Sequence, residues 1–253
     1  MIRVFRSLRL RLLSGSPFTR YFFYAIGEIV LVVLGILIAL QVNNWNEERK
    51  EQEITKSLLE NLKLDVKEDL ENLEGLERLL EGRKQNAQFI LEAMETPDYI
   101  GDTTALTLAL IRVGWILNYT PTFATYKEIL NSGKLSLIRS EELKKALADY
   151  QSQVEDNRRI EAAYEDGLKE AERTAIGHFE VPPEPSNLFT PAPESYRTQK
   201  IDLKTLSKNL AFIQNLKHIL YHTDMEIAYK ENLIVPRAER LAKLIEQELE
   251  NLE

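Results

Sequence analysis

Apolar positions divide this chain into one continuous run and a series of interrupted stripes. Residues 21–42 read YFFYAIGEIVLVVLGILIALQV, 22 residues. As a helix rising about 1.5 Å per residue they would cover about 33 Å, the thickness of a bilayer core. Beyond residue 46 the period becomes helical. Leu59, Leu62, Val66, Leu70, Leu73, Leu76 and Leu80 recur at spacings of three and four, with Glu and Lys between them. That is a one-sided, coil-like stripe. The first helix is expected to run on from the apolar segment as a stalk, weakened at its far end by Gly75 and Gly82 and ended near Thr96-Pro97-Asp98.

Further stripes predict more helices and an all-α fold, an antiparallel bundle with long members. A second helix, from Thr104 to about Asn118, carries Leu106, Leu108, Leu110, Ile111, Val113, Trp115 and Ile116 and should be the most buried. A third is expected to be capped by Thr120 with Pro121 at its first position. It runs through Phe123, Tyr126, Ile129 and Leu130 and stops at Asn131-Ser132-Gly133 in a left-handed turn. Leu135, Leu137 and Ile138 read as a short extended or irregular link. Ser140 then opens a long fourth helix with Glu141 and Glu142 in its first turn, continuing through Leu143, Leu147, Tyr150, Val154, Ile160 and Tyr164 to about Gly177. Five of the nine prolines fall in residues 180–194, an exposed loop. It could also serve as a proline-rich ligand, but it lacks a clean PxxP pattern with basic flanks. The last helical region, 203–252, shows Leu206, Leu210, Ile213, Leu216, Leu220, Leu233, Leu241, Leu244 and Ile245, with Pro236 kinking or dividing it.

Charge changes the picture from fold to location. Residues 1–20 hold Arg3, Arg6, Arg9, Arg11 and Arg20 and no acid. After the apolar run come Asn43, Asn44, Trp45, Asn46, Glu47 and Glu48. Cationic flanks stay cytoplasmic and Trp suits an interface, so the N-terminus is expected inside and residues 43–253 outside. A cleaved signal peptide is the rival reading. The run is too long for one, and no small residues stand at the usual cleavage spacing near Leu37-Ile38-Ala39-Leu40-Gln41. The chain carries 32 basic and 40 acidic residues. Residues 1–42 hold five Arg and Glu28, net +4, which leaves 27 basic and 39 acidic residues, net −12, for 43–253. An acidic domain of that kind excludes nucleic acid as a partner, since phosphate neutralisation needs clustered Lys and Arg. There is no cysteine, hence no disulfide, thiolate site or cysteine nucleophile.

Within the apolar run, Glu28, Gly35 and Ala39 fall on one helical stripe, with Gly35 and Ala39 as a small-xxx-small pair. They read as a helix-contact face for a homo-oligomer or another membrane protein. The alternative is a lone Glu28, protonated or snorkelling to the near interface. In the leader, Phe5, Leu8 and Leu12 share a face suited to anionic lipid headgroups, before Ser14-Gly15-Ser16-Pro17 breaks it. A cytoplasmic part of about 20 residues is too short for an output domain, so membrane lipid and a partner protein are the expected contacts.

Candidate chemistry is sparse. His218, His222 and Glu226 stand at i, i+4 and i+8, a weak metal candidate; the protease pattern fails because Ile219 follows the first His. The simpler reading is a solvated polar face. Arg112, Trp115 and Tyr126, with Thr122 and Thr125, could line a small-molecule cleft, although aromatics on apolar stripes are usually core. There is no phosphate loop, nucleophile elbow or Ser/His/Asp arrangement, so no enzyme activity and no cofactor are expected.

Two blocks carry a resemblance. AIGEIVLVVLGILIALQVNNWNEERK, residues 25–50, and PTFATYKEILNSGKLSLIRSEELKKALADY, residues 121–150, are similar in kind and order to an uncharacterised family of single-pass membrane proteins of Bacteroidota. The resemblance implies a topology, one N-terminal span followed by a helical region, and no activity. The leading expectation is therefore a non-enzymatic inner-membrane protein: leader 1–20, span 21–42, and an acidic periplasmic helical domain 43–253 acting by protein–protein contact. The second is a ligand-sensing helical bundle signalling to a separate membrane partner.

Overall fold

A computed structural model describes residues 17–96, 102–182, 184 and 191–252. The leader through residue 16, residue 183 and residues 185–190 of the proline-rich loop lie outside the described residues. The elements are helices: α1 (Pro17–Ala93), α2 (Thr104–Arg112), α3 (Ala124–Asn131), α4 (Glu141–Ile176), α5 (Leu203–Leu206), α6 (Leu210–Tyr229) and α7 (Val235–Glu250). Two 3-10 turns, Lys134–Leu137 and Glu194–Thr198, and a π-turn, Lys230–Ile234, complete them. Among the described residues β-pairing is limited to one isolated bridge, Phe179 with Ile201, so the fold is all-α.

The chain separates into two compact units, residues 1–56 and 57–253. In the first, the described side chains of residues 21–42 are all exposed. One helix here is long and apolar enough to cross a membrane.

The second unit is organised by three seams of inward positions at alternating spacings of three and four, the period at which helices interlock side by side. On α1 the buried series is Leu59, Leu62, Val66, Asp69, Leu73, Leu76, Leu80, Arg83, Ala87, Ile90 and Met94. On α4 it is Leu143, Leu147, Tyr150, Val154, Asn157 and Glu161, then, past half-buried Tyr164, Leu168, Ala171 and Ala175. On α6 it is Phe212, Leu216, Ile219, Thr223 and Glu226, followed by Lys230 in the π-turn. α4 packs along both α6 and α7.

These seams enclose two apolar cores. The first joins Leu58 to Leu80 of α1 with Tyr119, Phe123, Tyr126, Ile129, Tyr150 and Ile245 among others. The second joins Ala87, Ile90 and Met94 with Leu106, Leu110, Leu168, Phe212 and Ile219. Between them, on all three long helices, the seam positions are polar.

Local expectations held in several places and failed in others. Gly133 adopts φ +69° and ends α3 in the left-handed turn. The Ser140 side chain accepts from the Leu143 N–H as the α4 cap, and Glu248 of α7 accepts from the Arg139 and Ser140 N–H groups at 3.1 Å each. α1 passes through Gly75 and Gly82 and ends at Ala93, before Thr96. α2 stops at Arg112 rather than near Asn118. Just past that end the chain lies close against α4 at Gly114, where a Cβ would lie 2.5 Å from Cβ of Glu172 and 2.9 Å from the Leu168 carbonyl oxygen. Only glycine fits there without displacing the α4 backbone. Thr120 does not cap α3, which begins at Ala124. Carboxylates from α1 take that role instead, Asp69 accepting from the Thr122 N–H and Asp65 from the Thr125 N–H at 2.9 Å. Residues 134–137 form a 3-10 turn rather than an extended link.

Pro236 divides the last region, and its mechanism is visible. Proline has no N–H to donate, and its ring crowds the carbonyl four residues earlier. Just ahead of it the helix widens, with the Val235 N–H reaching the Lys230 carbonyl across five residues.

Candidate functional site

The polar layer between the cores is a closed ionic cluster. Arg83 donates from Nη1 to Glu226 Oε2 at 3.2 Å and from Nη2 to the Trp115 carbonyl at 3.1 Å. Lys230 Nζ donates to Glu226 Oε1 and to Glu161 Oε1, both at 2.9 Å. Asn157 Nδ2 donates to Glu161 Oε1 at 2.7 Å, and the Tyr119 N–H at 3.3 Å. All four charged side chains are about one-twentieth exposed. Two cations meet two anions, so the cluster is formally neutral, which is how buried charge is tolerated. Burial draws the Arg83 guanidinium below its ordinary range, against the pull of Glu226.

A second polar chain crosses the first core. Tyr150 donates its hydroxyl proton to Asp69 Oδ2 at 3.1 Å, and its oxygen lies 2.7 Å from the Tyr119 hydroxyl. Burial pushes the Asp69 carboxyl up to about 6, with the Thr122 N–H and the Tyr150 hydroxyl working against that rise. Burial likewise moves Tyr119 and Tyr150 above the normal phenol range.

Beside the ionic layer, α1, α4 and α6 leave a pocket of about 140 Å³. Arg83 and Thr223 form part of its wall, with Tyr164, Leu168 and Gly167 from α4 and His218, Ile219 and His222 from α6. The His222 ring stacks on Tyr164 at 4.0 Å between centroids. Burial, reinforced by His218, lowers the His222 imidazole below its usual value. Three buried atoms here make no hydrogen bond: Arg83 Nε, Thr223 Oγ1 and His222 Nδ1.

The residues singled out from sequence are distributed differently from expectation. His218 is exposed and His222 half-buried, with ring centroids 5.8 Å apart, but Glu226 is not on their solvated face. It is turned inward and engaged by Arg83 and Lys230, so the three do not make a ligand set. Among the described residues no group of three or more His, Asp or Glu is placed to hold a metal. Arg112 lies over the Trp115 ring at 5.6 Å, whereas Tyr126 is buried in the first core, edge-on to Phe123 at 5.1 Å. Thr125 is buried and Thr122 half-buried, with their N–H groups on Asp65 and Asp69. Glu28, Gly35 and Ala39 are exposed, with nothing within 4 Å of a Cβ built at Gly35. Asp69, Arg83, Asn157, Glu161 and Lys230 were not anticipated. Their signal was present as polar residues at three-and-four spacing within otherwise apolar seams.

Fold and site together define an all-α protein in which one apolar, membrane-length helical segment accompanies a bundle with an ionic layer between two cores. The chain belongs to the family of unknown function DUF6090, which it matches over residues 28–170, more than half its length. That match takes in Asp69, Arg83 and Glu161 and stops before α6. No curated protein and no solved structure matches the chain.

Proposed function

We propose that this is a non-enzymatic, single-pass membrane protein that acts by protein–protein contact as a homo-oligomer, through its span and its helical domain. One observation carries the reading: the 22-residue apolar segment has no cover of its own, every described side chain in it being exposed. In water such a surface would be untenable; in lipid it is the favourable state. The Glu28, Gly35 and Ala39 stripe supplies the close-approach face that helix association in lipid uses. The leader arginines orient the span with the N-terminus in the cytoplasm and residues 43–253 in the periplasm of a bacterial inner membrane. The resemblance to Bacteroidota proteins supports that setting.

The test is crosslinking of the intact protein in native membranes, read by mass spectrometry. A dominant self-crosslink that Gly35→Leu abolishes supports the reading. A stoichiometric second membrane protein in its place, or an oligomer size unchanged by Gly35→Leu in detergent, overturns the homo-oligomer.

A further inference from the structure

Glu226 is turned inward, but the outer face of α6 holds a different set of donors. His218, His222 and Met225 stand at i, i+4 and i+7, His222 half-buried and the other two exposed. At about 100° per residue they share about 60° of the helix circumference. Two of the chain's three histidines and one of its three methionines thus fall on one patch of one helix. Met225 is 51% exposed and belongs to neither apolar core, so its thioether is not spent on packing.

The imidazole pair has the spacing that one ion requires. Two imidazoles that each give a nitrogen to a single metal at about 2.0–2.1 Å hold their ring centroids about 5–6 Å apart. The centroids of His218 and His222 are 5.8 Å apart, with the ring planes at 65°. Tyr164 of α4 stacks on His222 at 4.0 Å, which fixes the plane of that ring. The His222 Nδ1 is buried, so Nε2 is the nitrogen that remains for a ligand outside. His218, on the surface, can rotate to meet it.

The donor types select the ion. The cations nearest the patch are already matched, Arg83 by Glu226 and Lys84 by Asp224, and Lys217 stands in solvent. The Asn215 carboxamide beside His218 is neutral and can add only an oxygen. Calcium, magnesium and manganese need several oxygens, and zinc takes its ligands from Cys, His and carboxylates. A thioether beside imidazoles is a soft set, the kind that suits copper(I).

We infer that His218, His222 and Met225 form a surface site for a single copper(I) ion, held by one nitrogen of each imidazole and by the Met225 Sδ. The site is built on α6 with Tyr164 as its brace. It therefore stands whether or not the span associates in the membrane.

The experiment titrates copper(I), kept reduced, and in parallel zinc(II), into the full-length protein in nanodiscs against a coloured competing chelator. One equivalent of copper(I) is expected to bind, more tightly than zinc(II), with two nitrogens and one sulfur around it by X-ray absorption. The chain has no cysteine, so no thiolate competes for the ion. Met225→Leu, an exposed and nearly isosteric change, should weaken copper(I) at least about tenfold and leave zinc(II) unmoved. His218→Gln, also at an exposed position, should abolish one-equivalent copper(I) binding while the metal-free thermal midpoint stays where it was. Copper(I) affinity untouched by Met225→Leu, or zinc(II) bound more tightly than copper(I), would overturn the copper assignment. The absence of one-equivalent binding, or binding that survives His218→Gln, would overturn the site.

Discussion

Arg83 and Glu226, 143 positions apart in the chain, meet in an ion pair of 3.2 Å from which water is almost entirely excluded. Arg83 occupies a seam position whose neighbours one turn away, Leu80 and Ala87, are apolar, whereas Glu226 lies between Thr223 and Lys230 on its seam, with apolar Ile219 two turns back. The pair is therefore a register mark. A slide of α1 past α6 by one turn would set apolar Leu80 or Ala87 against Glu226 and strand both charges.

Removing one partner should be far worse than removing the pair. Glu226→Ala leaves Arg83 and Lys230 buried with one carboxylate between them, and is expected to lower stability by about 3–5 kcal/mol. Replacing Arg83, Glu161, Glu226 and Lys230 together by Met or Leu should recover most of that loss, since the desolvation of four ions disappears as well. Urea denaturation of both variants in detergent, beside the wild type, reads the difference. A fourfold variant no more stable than Glu226→Ala would mean the layer contributes net stability.

Asp69 predicts a pH dependence with an unusual sign. Its carboxyl sits at about 6 in the folded chain against an ordinary 3.8. The folded state then binds the extra proton between those values, so this contribution is fully present below about pH 4 and is lost as the pH rises through 6. Two pKa units set its upper size at about 3 kcal/mol. Exposed acids such as Asp102, Glu141 and Asp202, each held below its usual range by a hydrogen bond, slope the other way. The quantity to measure is thus the stability of wild type minus that of Asp69→Asn, between pH 3.5 and 7. It should fall across that window; a flat difference would show Asp69 titrating normally.

Two glycines should respond oppositely to the same substitution. Gly114→Ala forces a Cβ against Glu172 and the Leu168 carbonyl, where part of the obstruction is backbone and cannot swing aside. A loss of about 1–3 kcal/mol is expected. Gly167→Ala, in open space on α4, should stabilise by up to about 1 kcal/mol through helix propensity. Thermal midpoints of the two variants, measured together, check both signs.

Glu248 should prove to be a cap supplied from a distant element. Glu248→Ala leaves the Arg139 and Ser140 N–H groups without their acceptor, at an expected cost of about 1–3 kcal/mol. Amide exchange at the start of α4 should accelerate while exchange in the α4 interior is little changed. Unaltered exchange at residues 139–143 would exclude the capping role.

The helices and their punctuation were legible because they rest on local rules: Ser140 before two glutamates, Gly133 after a polar pair, Pro236 within a helical stripe. The site was not, because a charged residue on an acidic helix reads as solvent-facing. On α1 the apolar stripe was drawn through Leu70, which is half-buried, and Asp69 beside it took the seam. On α6 the stripe was drawn through Ile213 and Leu220, both half-buried, instead of Phe212 and Ile219. That rotation carried Glu226 to the wrong side. A charge becomes a core residue only when its counter-charge arrives from another helix, and that pairing is tertiary information.

The π-turn at Lys230–Ile234 has a consequence for the chain's length. Inward positions on α6 and α7 fall at 212, 216, 219, 223, 226, 230, 234, 238, 241, 245 and 248. The steps alternate between three and four except from 226 to 238, where two further fours follow 226 to 230. A coil counted in sevens accommodates one residue fewer over that interval. The widened turn is where the surplus residue is stored, much as a tailor hides spare cloth in a pleat. A chain lacking residue 232, with Pro236 replaced by Ala, would run straight from α6 into α7 with the same side chains facing inward. The irregularity is thus a single surplus residue that the bundle accommodates without turning either inward stripe away from the core.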